Sequence, residues 1–347
     1  MAPAGTPHVA HLDEQGTQAW DRFAADHPEG SFFHRSAWGG IFRDVFRLKT
    51  HYLVAERDGA VTGILPLVRQ NSILLGRGLI SSPFCVEGGP LAADAASAQA
   101  LDDAAKSLMA ESGASYVEYR SRKASRPGWQ NKSGLYATFH RPISTDIEAD
   151  LTRIPRKQRA VVRKALAGAL TVEIDRDPER FYPIYAASVH NLGTPVFGKN
   201  YFRSLCQRFG EACDIVVVLD QGEPVSAVLN FYHRDTVLPY YGGGLAAARK
   251  SGANDLMYWA VMRHAAAKGC TVFDFGRSKA GSGAFAFKKN WGFEPDWLDY
   301  EYWLADGQSL PDNNSASPKY RFFVESWKKL PLPLANRIGP LLIRHLN

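Results

Sequence analysis

The sequence predicts an α+β fold of two tandem domains, each built on a mixed, mainly antiparallel sheet. Three observations lead there. The chain has 347 residues, which allows about two domains at roughly 150 residues each. The order strand, turn, strand, strand, helix, strand occurs twice. The spacing between the copies is steady, because the Phe33–Phe197 and Gly59–Gly222 separations agree to within one residue.

In the first copy, Thr50–Glu56 alternates like a strand, and Asp58-Gly59 is a hairpin turn signal. Ala60–Val68 is the second strand and Ser72–Ile80 the third. The Ala-rich stretch Ala95–Glu111 reads as a helix that stops at Gly113, and Ser115–Arg120 is the next strand. The second copy repeats this. Asp214–Leu219 is a strand, Asp220-Gln-Gly-Glu a turn, and Pro224–Tyr232 and Thr236–Tyr241 are strands. A helix over Asn254–Lys268 stops at Gly269, and a strand follows from Thr271. Upstream, Phe33–Phe42 parallels Phe197–Cys206. Each copy is thus helices, an antiparallel meander, then a βαβ-like crossover. The expected domains are 1–148 and 149–305, with a linker and basic-aromatic tail over 306–347.

Composition bounds the partners. Hydrophobic residues make up 45% and charged residues 22%, enough apolar material for two cores and too much for a disordered chain. The net charge of +6 favours anionic ligands. No stretch approaches a membrane span, and the N-terminus lacks a basic region followed by an apolar one. The expected location is the cytoplasm, with the inner face of the inner membrane as its outer limit. Cys85, Cys206, Cys213 and Cys270 fit no disulfide framework or metal spacing. The ten histidines form no HExxH set, and no metal is expected.

Four segments can carry chemistry. Tyr240–Asn254 ends a strand in three glycines and leads into a helix, whose first N–H groups attract anions. Within it, Arg249-Lys-Ser-Gly252-Ala-Asn254 approaches the acetyltransferase loop Arg/Gln-x-x-Gly-x-Gly/Ala, so Arg249 and Gly252 are candidate acyl-donor residues. Asn254 reads as the helix N-cap. Phe273–Pro295 places Asp274 in an apolar strand and Arg277 just past its end, where open sheets bind ligands. Lys288 follows the aromatic run Phe285-Ala-Phe287 and suits an electrophilic stabiliser, whereas Lys289 reads as a surface charge. Arg153–Lys164 holds six basic residues and no acid, with Arg156, Arg159 and Arg163 on one helical face, suited to phosphate. The tail from Lys319 is basic and aromatic, which suits packing onto the domains or contact with a membrane surface.

Together, Phe32-Phe33-His-Arg-Ser-Ala-Trp38, Gly63–Leu67, Asp274-Phe-Gly-Arg277 and Phe287-Lys288-Lys-Asn-Trp-Gly292 resemble the FemA/FemB/FemX-type family, over roughly residues 10–305. With Leu192–Pro195 and the Trp-Lys-Lys-Leu-Pro tail, the pattern looks most like the branch beside exosortase/PEP-CTERM exopolysaccharide systems. The resemblance implies two tandem GNAT-like domains and aminoacyl transfer from charged tRNA to an amine on a cell-envelope precursor. It places Phe287 and Lys288 at the transfer site. Arg277, Asp274, Tyr241 and Trp38 become substrate-binding candidates, and Arg156, Arg159 and Arg163 would hold phosphates of the donor or of a lipid-linked or phosphate-bearing acceptor. No tightly bound cofactor is expected, only an acyl donor acting as co-substrate (aminoacyl-tRNA or acyl-CoA). The chain differs from the family in carrying Phe42-Arg43 where a lysine is frequent, and in lacking a coiled-coil insertion. Two other readings stay open. One is a GNAT-type N-acyltransferase using acyl-CoA or acyl carrier protein, and the other a non-catalytic anion-binding factor in polysaccharide export.

Overall fold

Asp58 and Gly59 both take positive φ (52° and 76°), and Gln221 and Gly222 do the same at the matching place in the second copy (53° and 86°). Two successive left-handed residues make the tight turn whose twist suits a hairpin. This computed structural model describes residues 5–72, 76–311 and 318–345. Residues 73–75 of the expected strand Ser72–Ile80 and 312–317 of the expected linker lie outside the described residues.

In chain order the first elements are β1 (His8–His11), α1 (Thr17–Asp26), α2 (Ala37–Asp44), β2 (Lys49–Arg57), β3 (Ala60–Ser72), β4 (Gly76–Ser81), β5 (Leu91–Ala92), α3 (Ala95–Ser112), β6 (Tyr116–Ser121), β7 (Gln130–Thr138), β8 (His140–Pro142) and α4 (Ile147–Arg153). There follow α5 (Arg156–Leu166), β9 (Leu170–Asp175), α6 (Phe181–Asn191), α7 (Lys199–Phe209), β10 (Cys213–Asp220), β11 (Glu223–His233), β12 (Thr236–Gly244), α8 (Ala246–Ser251), α9 (Ala253–Ala267), β13 (Val272–Asp274), β14 (Ser278–Lys279), α10 (Gly283–Asn290), β15 (Asp296–Leu304), α11 (Pro318–Lys328) and α12 (Leu332–Ile343).

Of the described residues, the first unit holds 5–72, 76–134, 298–311 and 344–345. Its strands run β1-β2-β3-β4-β6-β15, with β5 on β3. Neighbours are antiparallel except β4 and β6, which are parallel and joined through α3. Asp94 caps α3 by accepting from the Ser97 N–H, and Gly113 closes it at φ 62°. Leu53, Leu65, Leu67, Leu79, Leu101 and Val117 form its core.

Of the described residues, the second unit holds 135–297 and 318–343. Its strands run β8-β13-β12-β11-β10-β9. β10, β11 and β12 are an antiparallel meander, and β13 returns through α9 to lie parallel to β12. The parallel pairing covers only Thr236–Val237 against Val272–Phe273, so β12 runs on to Gly244 past its partner. Trp259, Met262, Phe273, Phe275 and Trp291 are central to the core. The part of β7 in this unit pairs with β14 through Tyr136 and Ala137.

These units divide the chain differently from the expected 1–148, 149–305 and 306–347. The boundary falls between Gly134 and Leu135, because β8 pairs antiparallel with β13 and the Ile143 N–H donates to Thr271 O. Residues 298–304 join the first unit, because β15 pairs with β6 from Asp299↔Ser121 to Leu304↔Tyr116. The tail helices α11 and α12 pack on α6 within the second unit.

The three glycines ending β12 allow close helix packing. A Cβ on Gly242 would lie 3.2 Å from the Tyr258 hydroxyl, and one on Gly243 2.8 Å from Ser188 Cβ. A Cβ on Gly244 would meet Asn254 Oδ1 at 2.0 Å. Asn254 cannot yield cheaply, because its Oδ1 accepts from Ser226 Oγ at 2.8 Å. Gly244→Ala should therefore cost about 1–3 kcal/mol through overpacking. The urea midpoint checks this, and an unchanged midpoint would show that α9 can shift.

Candidate functional site

The segment after β13 turns sharply. Gly276 takes φ 66°, and the Asp274 carboxylate accepts from the Gly276 N–H at 2.8 Å, a local side-chain turn. The same oxygen accepts from Thr138 Oγ1 at 2.6 Å. Asp274 is buried, as its place in an apolar strand requires once it is paired. The Arg277 guanidinium stacks over the Tyr136 ring at 4.6 Å, on the adjoining strand β7.

α10 delivers a lysine beneath this turn. Ser282 caps the helix by accepting from the Phe285 N–H. Its other end closes with Gly292 at φ 79°, where Phe293 N–H donates to Lys288 O and Gly292 N–H to Lys289 O. Trp291, fully buried, anchors that end. The aromatic-Gly part of the Phe-Lys-x-x-aromatic-Gly motif is thus an anchor and a helix stop.

Lys288 is only 7% exposed. Its Nζ donates to Phe275 O at 2.8 Å, Gly276 O at 2.7 Å and Arg277 O at 3.4 Å. The rings of Phe139 and Phe275 flank it at 5.3 and 5.8 Å. Burial pulls its pKa down to about 7; Asp274 opposes this and Arg277 adds to it. Phe287 is half-buried against Tyr258, Phe275 and Trp291. Lys289 is exposed, as its sequence position suggested.

Other expected site residues are placed elsewhere. Tyr241 is buried on β12, its hydroxyl 2.8 Å from that of Tyr201 and its ring edge-on to Phe197 and Phe202. Trp38 corrects an expectation. It is fully buried in the first unit among Phe32, Phe33 and Phe42, and its indole N–H donates to Phe32 O, so it has no surface for a substrate.

Arg156, Arg159 and Arg163 do lie on one helix, α5. The run is less free of acid than its sequence suggests, because α4 supplies the partners. Arg163 lies 3.6 Å from Glu148, and Arg153 lies 2.9 Å from Asp150. Arg159 donates to Thr152 O, and Arg156 is exposed.

The loop before α9 is a second correction. Gly252, not Asn254, holds the N-cap position, at φ 78° with no side-chain cap. Asn254 lies inside the first turn, turned toward Ser226. Arg249 is exposed on α8, but Gly252 is buried, and a Cβ there would lie 3.1 Å from Val161 Cγ1 of α5. Asp255 in the same turn is buried, and one of its oxygens accepts from Gln158 Nε2 at 2.6 Å and Trp291 Nε1 at 2.9 Å. Burial pushes its pKa up, against the pull of those two donors.

Sequence reasoning missed Asp255, Gln158 and Tyr258. Tyr258 joins the glycine run to the lysine turn, since its hydroxyl reaches over Gly242 and its ring packs on Phe275 at 4.9 Å. Burial raises its pKa to about 12, with Asp255 adding to the effect. At helical spacing in an apolar segment it reads as plain core. Asp255, an acid at a helix start, carried the one available signal.

Residues 152–289 match the family profile described as an acetyltransferase (GNAT) domain. Over those residues the second unit is similar to a GNAT-type acetyltransferase domain. Comparison with solved structures shows the same tandem GNAT fold over most of the chain. The crystal structure of FemX is 18% identical, with a TM-score of 0.66, covering 84% of this chain and 96% of that one. A tandem GNAT protein from the clavulanic acid biosynthesis pathway is 14% identical at a TM-score of 0.55, covering 87% and 100%. L-PGS from Bacillus licheniformis is 14% identical at 0.53, covering 92% and 98%. At these identities the likeness is one of fold. No curated protein matches the sequence.

The buried lysine makes a pH prediction. Its folded-state pKa, about 7, lies below its ordinary 10.5. Between these values the unfolded chain holds more protons, so the stability contribution of this group rises with pH across that window. Lys288→Met lacks the term. Denaturation midpoints measured from pH 7 to 10 should shift in favour of the wild type relative to the variant, and a constant difference would refute the shifted pKa.

Proposed function

We propose that the second unit forms an amide by direct attack of an acceptor amine on an activated acyl group, with aminoacyl-tRNA as the donor. The amine lone pair adds to the ester carbonyl, the C–N bond forms, and the tRNA hydroxyl leaves with the proton the amine gives up. Arg277, half-exposed beyond β13, orients the substrate. Lys288 acts mainly through the turn, holding its carbonyls in place. Its longest contact, 3.4 Å to Arg277 O, leaves the donor that a developing oxyanion can most readily recruit. The exposed cations of α5 would take phosphates of donor or acceptor. The acceptor inferred is an amine on a phosphate-bearing or lipid-linked precursor of the cell envelope or of an exopolysaccharide, as the FemA/FemB/FemX-type and exosortase-associated resemblance implies.

One observation carries the choice of donor. A CoA pyrophosphate would need open N–H groups at the start of α9. Here α5 covers Gly252, and the buried Asp255 carboxylate occupies the first turn, both unfavourable to an incoming anion. The acyl-CoA reading retains the Arg249–Gly252 match and the exposed Arg249.

The test is competition between charged tRNA, uncharged tRNA and acyl-CoA for the purified protein near physiological salt, where nonspecific phosphate attraction is damped. Preference for charged tRNA is expected. Preference for acyl-CoA would overturn the donor assignment. Lys288→Ala should then lower turnover on the accepted donor by about 10²-fold or more, with a much smaller change in donor affinity. Unchanged turnover would remove Lys288 from the mechanism.

A further inference from the structure

The C-terminal helices are fixed on their inner faces and expose Phe322 on α11 and Leu334 and Leu341 on α12 beside charged side chains. On α11, Trp327 is buried and stacks with Phe323. Val324 lies so close over Gly193 that a Cβ there would come within 2.5 Å. On α12, Ala335 and Gly339 are buried, with Gly339 against the Val196 backbone. Burial of this kind is enough to dock both helices on the second unit.

The opposite faces do not look like ordinary solvated surface. Phe322 is 75% exposed and Leu341 60%. Leu334, Arg337 and Leu341 follow i, i+3, i+7 spacing along the outside of α12. Leu192, 67% exposed, ends α6 beside the glycine that α11 covers. Among the described side chains of this segment, the exposed cations Lys328, Lys329 and Arg337 outnumber the one acid. Residues 318–343 contain five Lys or Arg and a single acid, Glu325, which is already bridged to Lys328 at 3.1 Å.

We propose that this outer face of α11 and α12 seats the protein on an anionic lipid bilayer surface. Exposed Phe and Leu enter the headgroup–acyl boundary while flanking Lys and Arg meet anionic headgroups, the usual division of labour in interfacial helices. Among the described residues no helix is long and apolar enough to cross a membrane, so the contact is one of lying on the surface. Charge selects this occupant over a second copy of the chain, since pairing two such faces would set cation against cation. The surface is independent of the acyl-transfer reading and is tested without any assay of turnover.

The experiment is co-sedimentation of the full chain with phosphatidylglycerol-containing vesicles and with phosphatidylcholine vesicles, together with size-exclusion light scattering. The wild type is expected to pellet with the anionic vesicles only, and less so as salt is raised. Phe322→Asp with Leu341→Asp, both at exposed positions, should weaken binding by about tenfold or more. Arg337→Glu with Lys329→Glu should weaken it while leaving the circular dichroism spectrum unchanged. Absence of binding to anionic vesicles overturns the proposal, as does binding by both double variants at the wild-type level. A concentration-dependent dimer that the Phe322→Asp/Leu341→Asp pair abolishes would also overturn it, assigning the face to a second copy.

Discussion

A buried ammonium needs acceptors, and the placement of Lys288 governs the local architecture around it. Few side chains can take a charge into an apolar wall, so three backbone carbonyls must converge on one point. That convergence requires a reversal at Gly276, whose positive φ turns successive carbonyls inward. The reversal requires Asp274 to hold the Gly276 N–H, and Asp274 in turn requires Thr138 at the end of β7. The helix that delivers the lysine needs Ser282 at one end and Gly292 at the other to stop where it does. Each of these residues is explained by the one above it. A change at any of them would move Lys288 relative to the turn it supports.

A second constraint shapes what the site can accept. Asp255 gathers Gln158 of α5 and the Trp291 indole onto one carboxylate oxygen. This ties α5 to α9 and to the end of α10, and it sets a carboxylate in the first turn of α9, where helix N–H groups would otherwise favour an anion. The cations of α5 are turned outward, with Arg156 exposed and Arg163 loosely paired to Glu148. The basic groups of α5 lie along a helix flank. A flank suits extended phosphate-bearing ligands better than a single pyrophosphate, because guanidinium groups can be spaced along it.

The meander and crossover were legible because their signals are local. Asp58-Gly59 and Gln221-Gly222 demand a tight turn, and Gly113 and Gly269 stop helices at the places read from sequence, both with positive φ. Lys288 was also legible as a special position, since a lysine after Phe285-Ala-Phe287 must be either solvated or specifically paired. The identity of its partners was not, because carbonyls carry no sequence signature. Asn254 failed as a cap for a related reason. Its side chain prefers Ser226, twenty-eight residues away in sequence, and no local rule sees that competitor. Trp38 failed because aromatic residues that line a core and those that line a cleft have the same spacing. The acids of α4 were overlooked because they precede the basic run: Asp150 meets Arg153 three residues on along the same helix, and the break at Ile154–Pro155 brings Glu148 beside Arg163.

The pairing of strands carries the same lesson to the level of the whole chain. Contiguous halves were the natural expectation from a duplicated pattern, yet each unit is completed by a strand that a contiguous half would leave out. β15 follows the second copy of the pattern and pairs along β6 of the first unit, and β8 follows the first copy and pairs with β13 of the second. β13 has three residues, so it cannot hold its place through the two pairs it makes with β12. Its pairing with His140–Pro142 supplies the other edge. The turn that receives Lys288 begins where β13 ends. The candidate site therefore depends on residues 140–142, which lie before the segment that the acetyltransferase profile recognises, and a fragment cut at that profile's limits would leave β13 with one edge bare.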